Sequence, residues 1–423
     1  MRTFLLFYGG SMNKVMLISF DAVGSDEVTE LLTMPNFKRL TQNGMLFRDM
    51  KTVFVSNTYP IHTSVATGKP PCDHGIISNM WIDPAEEGAW CYDSRRIRVK
   101  TLWNAAREKG LKTASVLWPV TGYAKDINWN LPEVVIRKGE NQVMQNLKAG
   151  SFIIQMEAFF RHRHLMHGIS QPALDTFAVH VMRDIILSRK PDFMLLHLTS
   201  FDTICHQFGR TAPETKKALV YLDGFLGNML DILEKDTTVI VFSDHAQLDV
   251  HSNIHPNALL ERMGFLKQTE SYDEVFKKNV NVLSDYRCFF HYAGGSAFLF
   301  AKDTGKAGGR GTPQVQVAEI DSIKKAVLQL EGVERLLTDD EMKESGFGAP
   351  SSLYPTGALF GIGAKEGRHF GDTHYEKGSH GYTINRPHYG TFCAVNKKIE
   401  GASCTSILDV TKLTAAELGV SMD

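Results

Sequence analysis

The segment from Ser56 to Asn79, SNTYPIHTSVATGKPPCDHGIISN, carries a set of side chains that is typical of phosphoryl transfer. We place the candidate nucleophile, Thr58, in a short polar loop that precedes a run of small residues from Thr63 to Gly68. An Asp-His-Gly corner then leads to the amide side chain of Asn79. A hydroxyl group is a weak nucleophile at neutral pH, so Thr58 needs help from other parts of the chain.

The composition is that of an ordinary globular protein. The 423 residues include 46 basic and 47 acidic side chains, for a formal net charge of −1, and 43% of them are hydrophobic. This balance argues against a protein that binds nucleic acid or a membrane surface through its net charge. The length predicts about two or three compact units. The six cysteines are scattered without a CxxC pair, so we predict no disulfide framework.

The N-terminal stretch does not match a secretory signal. Its apolar run, Phe4 to Tyr8, is shorter than the h-region of about 7–15 residues in a signal peptide. No other stretch has the length of a transmembrane helix. We therefore predict a cytoplasmic protein without a membrane partner, with Met12 as an alternative start and the oligomeric state left open.

Short apolar runs alternate with amphipathic helical patterns along most of the chain. The runs have the length of strands that are buried on both faces of a sheet. Such alternation predicts an α/β fold with a doubly wound, mostly parallel sheet and helices on both faces. In such sheets the sites lie beyond the carboxyl ends of the strands. The predicted strands are 15–20, 113–118, 193–198 and 239–242, and the predicted helices are 34–43, 100–109, 172–189 and 215–234.

Two segments interrupt this alternation, and we interpret both as insertions that cap the sheet. Residues 131–171 contain a basic, His-rich run at 161–167, which we interpret as a solvated helix face in preference to a metal site. Residues 262–375 contain a Gly-rich loop at 303–313 that lacks the spacing of a phosphate-binding P-loop. The predicted catalytic core then comprises residues 13–130, 172–261 and 376–423.

Acidic and imidazole side chains follow three of the predicted strands. Asp21 follows the first strand, Asp202 and His206 follow the third, and Asp244 and His245 follow the last. The i,i+4 spacing of Asp202 and His206 places both on one face of a helical turn. Each residue alone has a commoner structural role, such as a helix N-cap for an Asp. Because all of these residues are predicted at the same edge of the sheet, we nevertheless favour a shared functional site over separate structural roles.

A further imidazole, His380, lies late in the chain between Gly378 and Gly381, where glycine allows the backbone to approach closely. With it, the candidate set contains three Asp, three His and one Thr. Mixed oxygen and nitrogen ligands suit zinc better than magnesium, which prefers oxygen alone. We therefore predict two divalent metal ions, with Zn²⁺ as the preferred identity.

The order of these motifs resembles that of the alkaline phosphatase superfamily, and within it the type I nucleotide pyrophosphatase/phosphodiesterase family. The resemblance covers nearly the whole chain outside the two insertions, and the motifs are specific only in combination. They are Ser19-Phe-Asp21, Asn57-Thr-Tyr-Pro60, Val65-Ala-Thr-Gly68, His74-Gly-Ile-Ile-Ser-Asn79, Trp118-Pro119, Asp202-xxx-His206-xx-Gly209, Ser243-Asp-His245 and Gly378-Ser-His-Gly381.

The resemblance implies a role for each candidate residue. Thr58 would attack as a metal-activated alkoxide and form a phosphothreonine, which water then hydrolyses. Asn79 and the backbone N–H of Tyr59 would hold a non-bridging phosphoryl oxygen. The implied ligands are Asp21, Asp244, His245 and the Thr58 oxygen for one metal, and Asp202, His206 and His380 for the other.

Three functions are compatible with these residues. The leading hypothesis is a two-metal phosphodiesterase or nucleotide pyrophosphatase that acts on a small phosphate diester or nucleotide, without a nucleic-acid polymer as partner. The alternative is a phosphomonoesterase or phosphonate hydrolase, which would need extra positive charge from Lys69 or residues 94–100. A non-catalytic binding protein is disfavoured because all seven candidate positions are intact. A sulfatase is disfavoured because the chain lacks a Cys-x-Pro-x-Arg motif.

The sequence defines the identity of the substrate less well than it defines phosphoryl transfer as the reaction. The ring of Tyr59 suits either stacking on a flat group or ordinary packing, and both interpretations remain open. The residues from His197 to Phe201 lack the acidic side chains that many relatives carry before the Asp-xxx-His motif. This departure weakens the prediction of a nucleotide substrate.

Overall fold

The computed structural model describes residues 14–82, 89–137, 139–273, 278–302, 314–350, 354, 356–371 and 376–423. Met12 and the Gly-rich segment 303–313 lie outside these residues. The strands are β1 (Val15–Phe20), β2 (Met45–Met50), β3 (Thr113–Val116), β4 (Trp129–Leu131), β5 (Phe193–Leu198), β6 (Thr238–Phe242), β7 (Leu248–Ile254), β8 (Leu266–Asp273), β9 (Lys278–Tyr286), β10 (Cys288–Ala293), β11 (Ser296–Ala301), β12 (Val333–Leu336), β13 (Phe360–Ala364), β14 (Gly367–Phe370), β15 (Gly378–Ser379) and β16 (Thr391–Val395). The α-helices are α1 (Val28–Leu31), α2 (Pro35–Thr41), α3 (Thr58–Thr67), α4 (Pro71–His74), α5 (Leu102–Glu108), α6 (Gln142–Ala149), α7 (Phe152–His162), α8 (Ala173–Arg189), α9 (Ser200–Phe208), α10 (Pro213–Leu230), α11 (Pro256–Arg262), α12 (Val317–Val327), α13 (Asp339–Glu344) and α14 (Ile407–Leu418).

The central sheet has seven strands in the order β2-β16-β6-β1-β5-β3-β4. Its middle strand, β1, is parallel to both neighbours, with Val15 opposite Phe193 of β5 and Thr238 of β6. β3 is parallel to β5 and β4, whereas β16 is antiparallel to β6 and β2. The prediction of a mostly parallel sheet is therefore confirmed.

Both faces of this sheet are covered by helices, because its strands are apolar on both sides. Met16 and Ile18 of β1 pack in a core with α2, α8 and α10. The alternate residues Val15 and Leu17 pack in a second core with α3, α5 and α14. The doubly wound arrangement follows from this alternation. Among the described ranges, no helix has both the length and the apolar composition needed to cross a bilayer; the cytoplasmic location stays a prediction.

A second sheet lies in the later part of the chain, in the order β10-β11-β13-β12, and β8 and β9 form a separate antiparallel pair. The hydrophobic core beside the four-stranded sheet includes the stacked rings of Phe298 and Phe347, whose centroids are 3.8 Å apart. β7, which follows the main sheet, pairs with β14 and β15. This pairing ties the later part of the chain to the sheet edge that carries the site. The predicted bounds of the core and of the two caps stay predictions.

The segment that begins at Thr58 is a helix, α3, where we predicted a polar loop followed by small residues. Asn57 before it is extended, and Gly68 after it is left-handed, with φ +69°. All ten residues of α3 are buried, so the helix has no amphipathic pattern, and for this reason the loop prediction was wrong. Pro60 in the first turn and Gly68 after the last turn were the available signals.

Candidate active site

The carboxyl ends of β1, β5 and β6 bring the predicted ligands to one edge of the sheet. They form two groups, and in each group one ligand atom per residue lies within 4.8 Å of the others. α9 begins directly after β5, and its start is fixed by Asp175 of α8, which accepts hydrogen bonds from the backbone N–H groups of Thr199 (2.9 Å) and Ser200 (2.8 Å). The first group is Asp21, Asp244 and His245, and the second is Asp202, His206 and His380.

The first group lies beside the hydroxyl of Thr58, which its His245 contacts. The Nε2 atom of His245 lies 3.3 Å from Thr58 Oγ1, 3.3 Å from Asp244 Oδ2 and 3.5 Å from Asp21 Oδ1. Both carboxylate oxygens are buried and accept no hydrogen bond from the described residues. Buried carboxylate oxygens without a partner are costly unless a cation compensates them. The donor atoms present therefore fit a divalent metal ion.

The second group is built on one turn of α9. His206 Nε2 lies 3.3 Å from Asp202 Oδ1, as the i,i+4 spacing predicts. The other ring nitrogen, Nδ1, is 2.8 Å from the carbonyl oxygen of Gly378 and 3.0 Å from a carboxylate oxygen of Glu376. Because these oxygens only accept, Nδ1 carries the proton and Nε2 is left to bind a metal.

His380 joins the two groups. Its ring stacks on His245, with centroids 4.1 Å apart, and its Nδ1 atom is 3.1 Å from the carbonyl oxygen of Ser56. The following residue, Gly381, has φ +79°, and a Cβ atom there would lie 1.7 Å from the carbonyl oxygen of Ala293. Only glycine permits this close backbone approach. The expectation from the sequence that a glycine holds His380 in a tight loop is confirmed.

The charges of the two groups differ. Burial raises the pKa of Asp21 well above its usual range, with Asp244 and Asp202 adding to the effect, and burial raises the pKa of Asp244 to about 6. Burial lowers the pKa of His245 to about 4 and that of His380 to about 3. Burial also opposes ionisation of Asp202, but the neighbouring imidazoles outweigh it and lower the pKa of that carboxyl. The raised pKa values of Asp21 and Asp244 mean that the protein alone does not stabilise their ionised forms, which a bound cation would do.

The N-terminus of α3 lies beside this group. Thr58 is the first helical residue, and the backbone N–H of Tyr59 donates to Oδ1 of Asn79 at 2.9 Å. The free N–H groups and the dipole at a helix N-terminus favour an anion. The structure thus brings the candidate nucleophile Thr58, the backbone N–H of Tyr59 and Asn79 together, although here the Tyr59 N–H donates to Asn79 itself.

The ring of Tyr59 is packed, which is one of the two interpretations left open by the sequence. The residue is 0% exposed, its ring lies against Trp90 with centroids 5.1 Å apart, and its hydroxyl donates to Glu133 Oε2 at 3.1 Å. It therefore has no exposed face for a base. Glu133, which sequence reasoning missed, is placed near the ligands by this hydrogen bond.

Two buried histidines behind the ligands were also missed. His197 lies on β5 with Nε2 3.1 Å from Asp21 Oδ2. His62 lies one turn along α3 with Nδ1 2.8 Å from the carbonyl oxygen of Thr58 and Nε2 2.9 Å from Ser19 Oγ. The i,i+4 spacing of Thr58 and His62 was a usable signal, but His197 is enclosed in an apolar run that predicts only a buried strand.

A phosphomonoester carries one more negative charge than a diester, and three of the basic side chains predicted to bind it have other positions or partners. Lys69 is exposed and follows Gly68, at the opposite end of α3 from Thr58, and a ten-residue helix is about 15 Å long. Arg95 bonds to Asp93 and lies over Tyr123, and Arg96 lies over Trp81. The distance of Lys69 along α3 and these partners of Arg95 and Arg96 argue against the three side chains as the extra positive charge that a monoester would require.

Comparison with known proteins shows which family model and which relatives match the chain. The family model of type I phosphodiesterase/nucleotide pyrophosphatase matches residues 15–329. Ectonucleotide pyrophosphatase/phosphodiesterase family member 1 of Homo sapiens is 25% identical over 224 residues, which is 50% of this chain and 21% of that protein. Venom phosphodiesterase 2 of Crotalus adamanteus is 26% identical over 228 residues, 51% of this chain and 24% of that protein. The chain thus matches less than a quarter of the length of these relatives.

Solved structures share the fold. Murine ectonucleotide pyrophosphatase/phosphodiesterase 5, as an inactive Thr→Ala variant in complex with AMP, has a TM-score of 0.63 and 15% identity, with 97% of this chain and 96% of that chain covered. Phosphonoacetate hydrolase from Sinorhizobium meliloti 1021, in complex with phosphonoformate, has a TM-score of 0.64 and 17% identity, with 96% of each chain covered. At these identities the likeness establishes the alkaline-phosphatase-like fold.

Proposed function

Because the chain belongs to the type I phosphodiesterase/nucleotide pyrophosphatase family, we propose that it is a two-metal phosphoric diester hydrolase in which Thr58 is the nucleophile. The observation that carries the proposal is the position of Thr58 Oγ1, at the N-terminus of α3 and 3.3 Å from His245 Nε2, beside two buried carboxylate oxygens without partners. A hydroxyl so placed needs no histidine base if a cation shares its surroundings.

The ligand sets follow from the two groups. When bound, two divalent cations would lower the pKa of the Thr58 hydroxyl and neutralise charge that develops on the phosphate. Imidazole and carboxylate together favour Zn²⁺ over Mg²⁺. The proposed ligands are Asp21, Asp244, His245 and Thr58 for one ion and Asp202, His206 and His380 for the other.

The chain's own residues account for the transfer. The Thr58 hydroxyl loses its proton to solvent and its oxygen attacks phosphorus. The bond from phosphorus to the leaving oxygen breaks, and the leaving group takes that electron pair and then a proton from solvent. The phosphothreonine is cleaved by water, which releases a phosphomonoester and restores the Thr58 hydroxyl. Asn79, held through Oδ1 by the Tyr59 N–H, is left with its amide nitrogen to donate to a non-bridging oxygen.

A small diester or nucleotide is the proposed substrate. The positions of Lys69 and Arg95 disfavour a monoester, and no nucleic-acid polymer is expected for a chain with a net charge of −1. A solved neighbour that binds AMP and is inactive as a Thr→Ala variant supports both the nucleophile and a nucleotide-like ligand. The phosphonoacetate hydrolase neighbour supports phosphonate hydrolysis as the second candidate.

Metal analysis and a substrate comparison test the proposal. We expect about two zinc ions per chain and faster release of nitrophenol from bis(p-nitrophenyl) phosphate than from p-nitrophenyl phosphate. The Thr58→Ala variant, purified identically, provides the background from contaminating phosphatases. Preference for the monoester, or release of phosphate from phosphonoacetate alone, would favour the second candidate. Absence of both metal and turnover would contradict the enzyme proposal.

A further inference from the structure

Large apolar side chains are exposed in an unusual concentration on and just after α7. We call these residues the α7 surface. A monomeric soluble protein exposes single apolar side chains, but contiguous groups of them mark interaction sites. The α7 surface consists of Phe152 (60% exposed), Ile153 (64%), Phe159 (47%), Phe160 (65%), Met166 (51%) and Ile169 (60%).

The helix itself shows that these residues are not a poorly packed core. Its opposite face, with Ile154 and Ala158, is buried. The exposed residues from Phe152 to Phe160 have the spacing i, i+1, i+7 and i+8, which forms one stripe along a helix. α7 therefore has two apolar faces, of which the protein covers one.

The charges around the α7 surface are largely balanced. Arg161 lies 3.1 Å and His162 2.9 Å from the carboxylate of Asp184. Arg189 lies 2.7 Å from Glu157. Recruitment to an anionic membrane uses clusters of about four to eight Lys and Arg, and here Arg161 and Arg189 are paired with acids. Arg163 lies over the ring of Phe159, 5.7 Å from its centroid. The charge balance thus favours another protein surface over a lipid surface.

A second copy of the chain offers a matching apolar stripe. Two-fold symmetry places a patch against itself, so an apolar stripe is self-complementary. A fully covered aromatic side chain buries roughly 150–250 Å², and Ile and Met bury less. The six side chains, each about half exposed, therefore offer at most on the order of 600 Å² per copy. A stable interface buries about 800 Å² per partner, with a polar rim around an apolar core. The paired charges beside the helix are suited to that rim.

We propose that the α7 surface is the contact of a symmetric homodimer in which α7 packs against α7 of a second copy.

Sedimentation velocity of the full chain at micromolar concentration tests this dimer, and it does so independently of the proposed function. We expect the wild type at twice the chain mass of 47.3 kDa, and Ile153→Asp and Phe160→Asp at 47.3 kDa. The matched control is Val317→Asp, at a residue on α12 that is 77% exposed, which leaves the dimer intact.

Unchanged circular dichroism and melting temperature would show that the variants fold. A monomeric wild type over this concentration range would overturn the proposal, as would folded Ile153→Asp and Phe160→Asp variants that remain dimeric. Cosedimentation with vesicles of phosphatidylglycerol tests whether the α7 surface instead binds lipid. If a monomeric wild type cosediments with them and the two variants do not, the surface binds lipid and the dimer proposal is wrong.

Discussion

His62 and Thr58 are joined by a hydrogen bond across one helical turn, in which His62 Nδ1 lies 2.8 Å from the carbonyl oxygen of Thr58. A carbonyl oxygen only accepts, so Nδ1 carries the proton and Nε2 accepts from the hydroxyl of Ser19, 2.9 Å away. Burial lowers the pKa of His62 well below its usual value, which keeps the ring neutral. His62 therefore anchors α3, which begins at the proposed nucleophile Thr58, to β1, the strand that Asp21 follows.

Removal of this anchor is expected to impair catalysis by displacing Thr58. His62→Ala leaves a buried carbonyl oxygen and a hydroxyl without this partner, at a cost of about 1–3 kcal/mol each in unfolding free energy. We expect kcat for the aryl diester to fall with little change in KM. His62→Asn, which can still donate to the Thr58 carbonyl, should recover part of kcat. Wild-type kcat in a folded His62→Ala variant would show that the anchor has no positioning role.

Thr58→Ala is expected to abolish turnover and the covalent phosphoenzyme while the protein remains folded. The reason is that alanine is well tolerated in a helix but has no group that can accept the phosphoryl group. Acid-quenched intact-protein mass spectrometry checks for the phosphorylated chain. Thr58→Ser should keep some activity, and Thr67→Ala, at the other end of α3, should keep it in full. Full activity in Thr58→Ala would contradict the mechanism.

His380→Ala is expected to lose about one metal ion per chain, because a three-residue ligand group would become a pair. Hydrolysis of the phosphothreonine should slow, so that phosphoenzyme accumulates during turnover. Zinc content by mass spectrometry and quench-flow kinetics measure the two effects. His388→Ala, at an imidazole that is 73% exposed, is the matched control. Two fully bound metals in His380→Ala would argue against the ligand assignment.

Acid is expected to destabilise the fold in part through His291. Burial lowers its pKa to about 4, whereas the unfolded chain titrates near 6.5. Between these values the unfolded state binds the extra proton, so stability is present above about pH 6.5 and is lost as the pH falls towards 4. Urea unfolding at pH 6.5, 5.5 and 4.5 measures the slope.

His291→Gln should reduce that slope by up to about 1.4 kcal/mol per pH unit. The variant removes a ring that lies 2.9 Å from Ser78 Oγ, so some loss of stability at pH 7 is also expected. His164→Gln, at an exposed residue, should leave the slope unchanged. An identical slope in His291→Gln and the wild type would contradict the assignment.

The sheet and the clustering of the candidate ligands could be predicted because each depends on local sequence pattern. The strands predicted at 15–20 and 193–198 coincide with β1 and β5. Because parallel strands end at the same edge of a sheet, Asp21 and Asp202 meet there without any information from the rest of the sequence. His380 could be found because glycine on either side is a strong signal of a close approach.

Buried polar residues could not be predicted in the same way. α3 has no polar face, so its sequence carries no helical period, and its start at Thr58 was missed. His197 lies inside an apolar strand, and its partner Asp21 comes from a distant part of the chain. The packing of Tyr59 depends on Trp90 and Glu133, which belong to segments whose placement a sequence pattern does not give.

The order of the ligands along the chain has a consequence for biosynthesis. The first group is complete once His245 has left the ribosome, whereas the second waits for His380, in a loop beyond the residues that the family model matches. During translation a nascent chain therefore holds one finished ligand group and one that still lacks its last imidazole. If the two groups hold metal ions, the second centre can form only when most of the polypeptide has emerged.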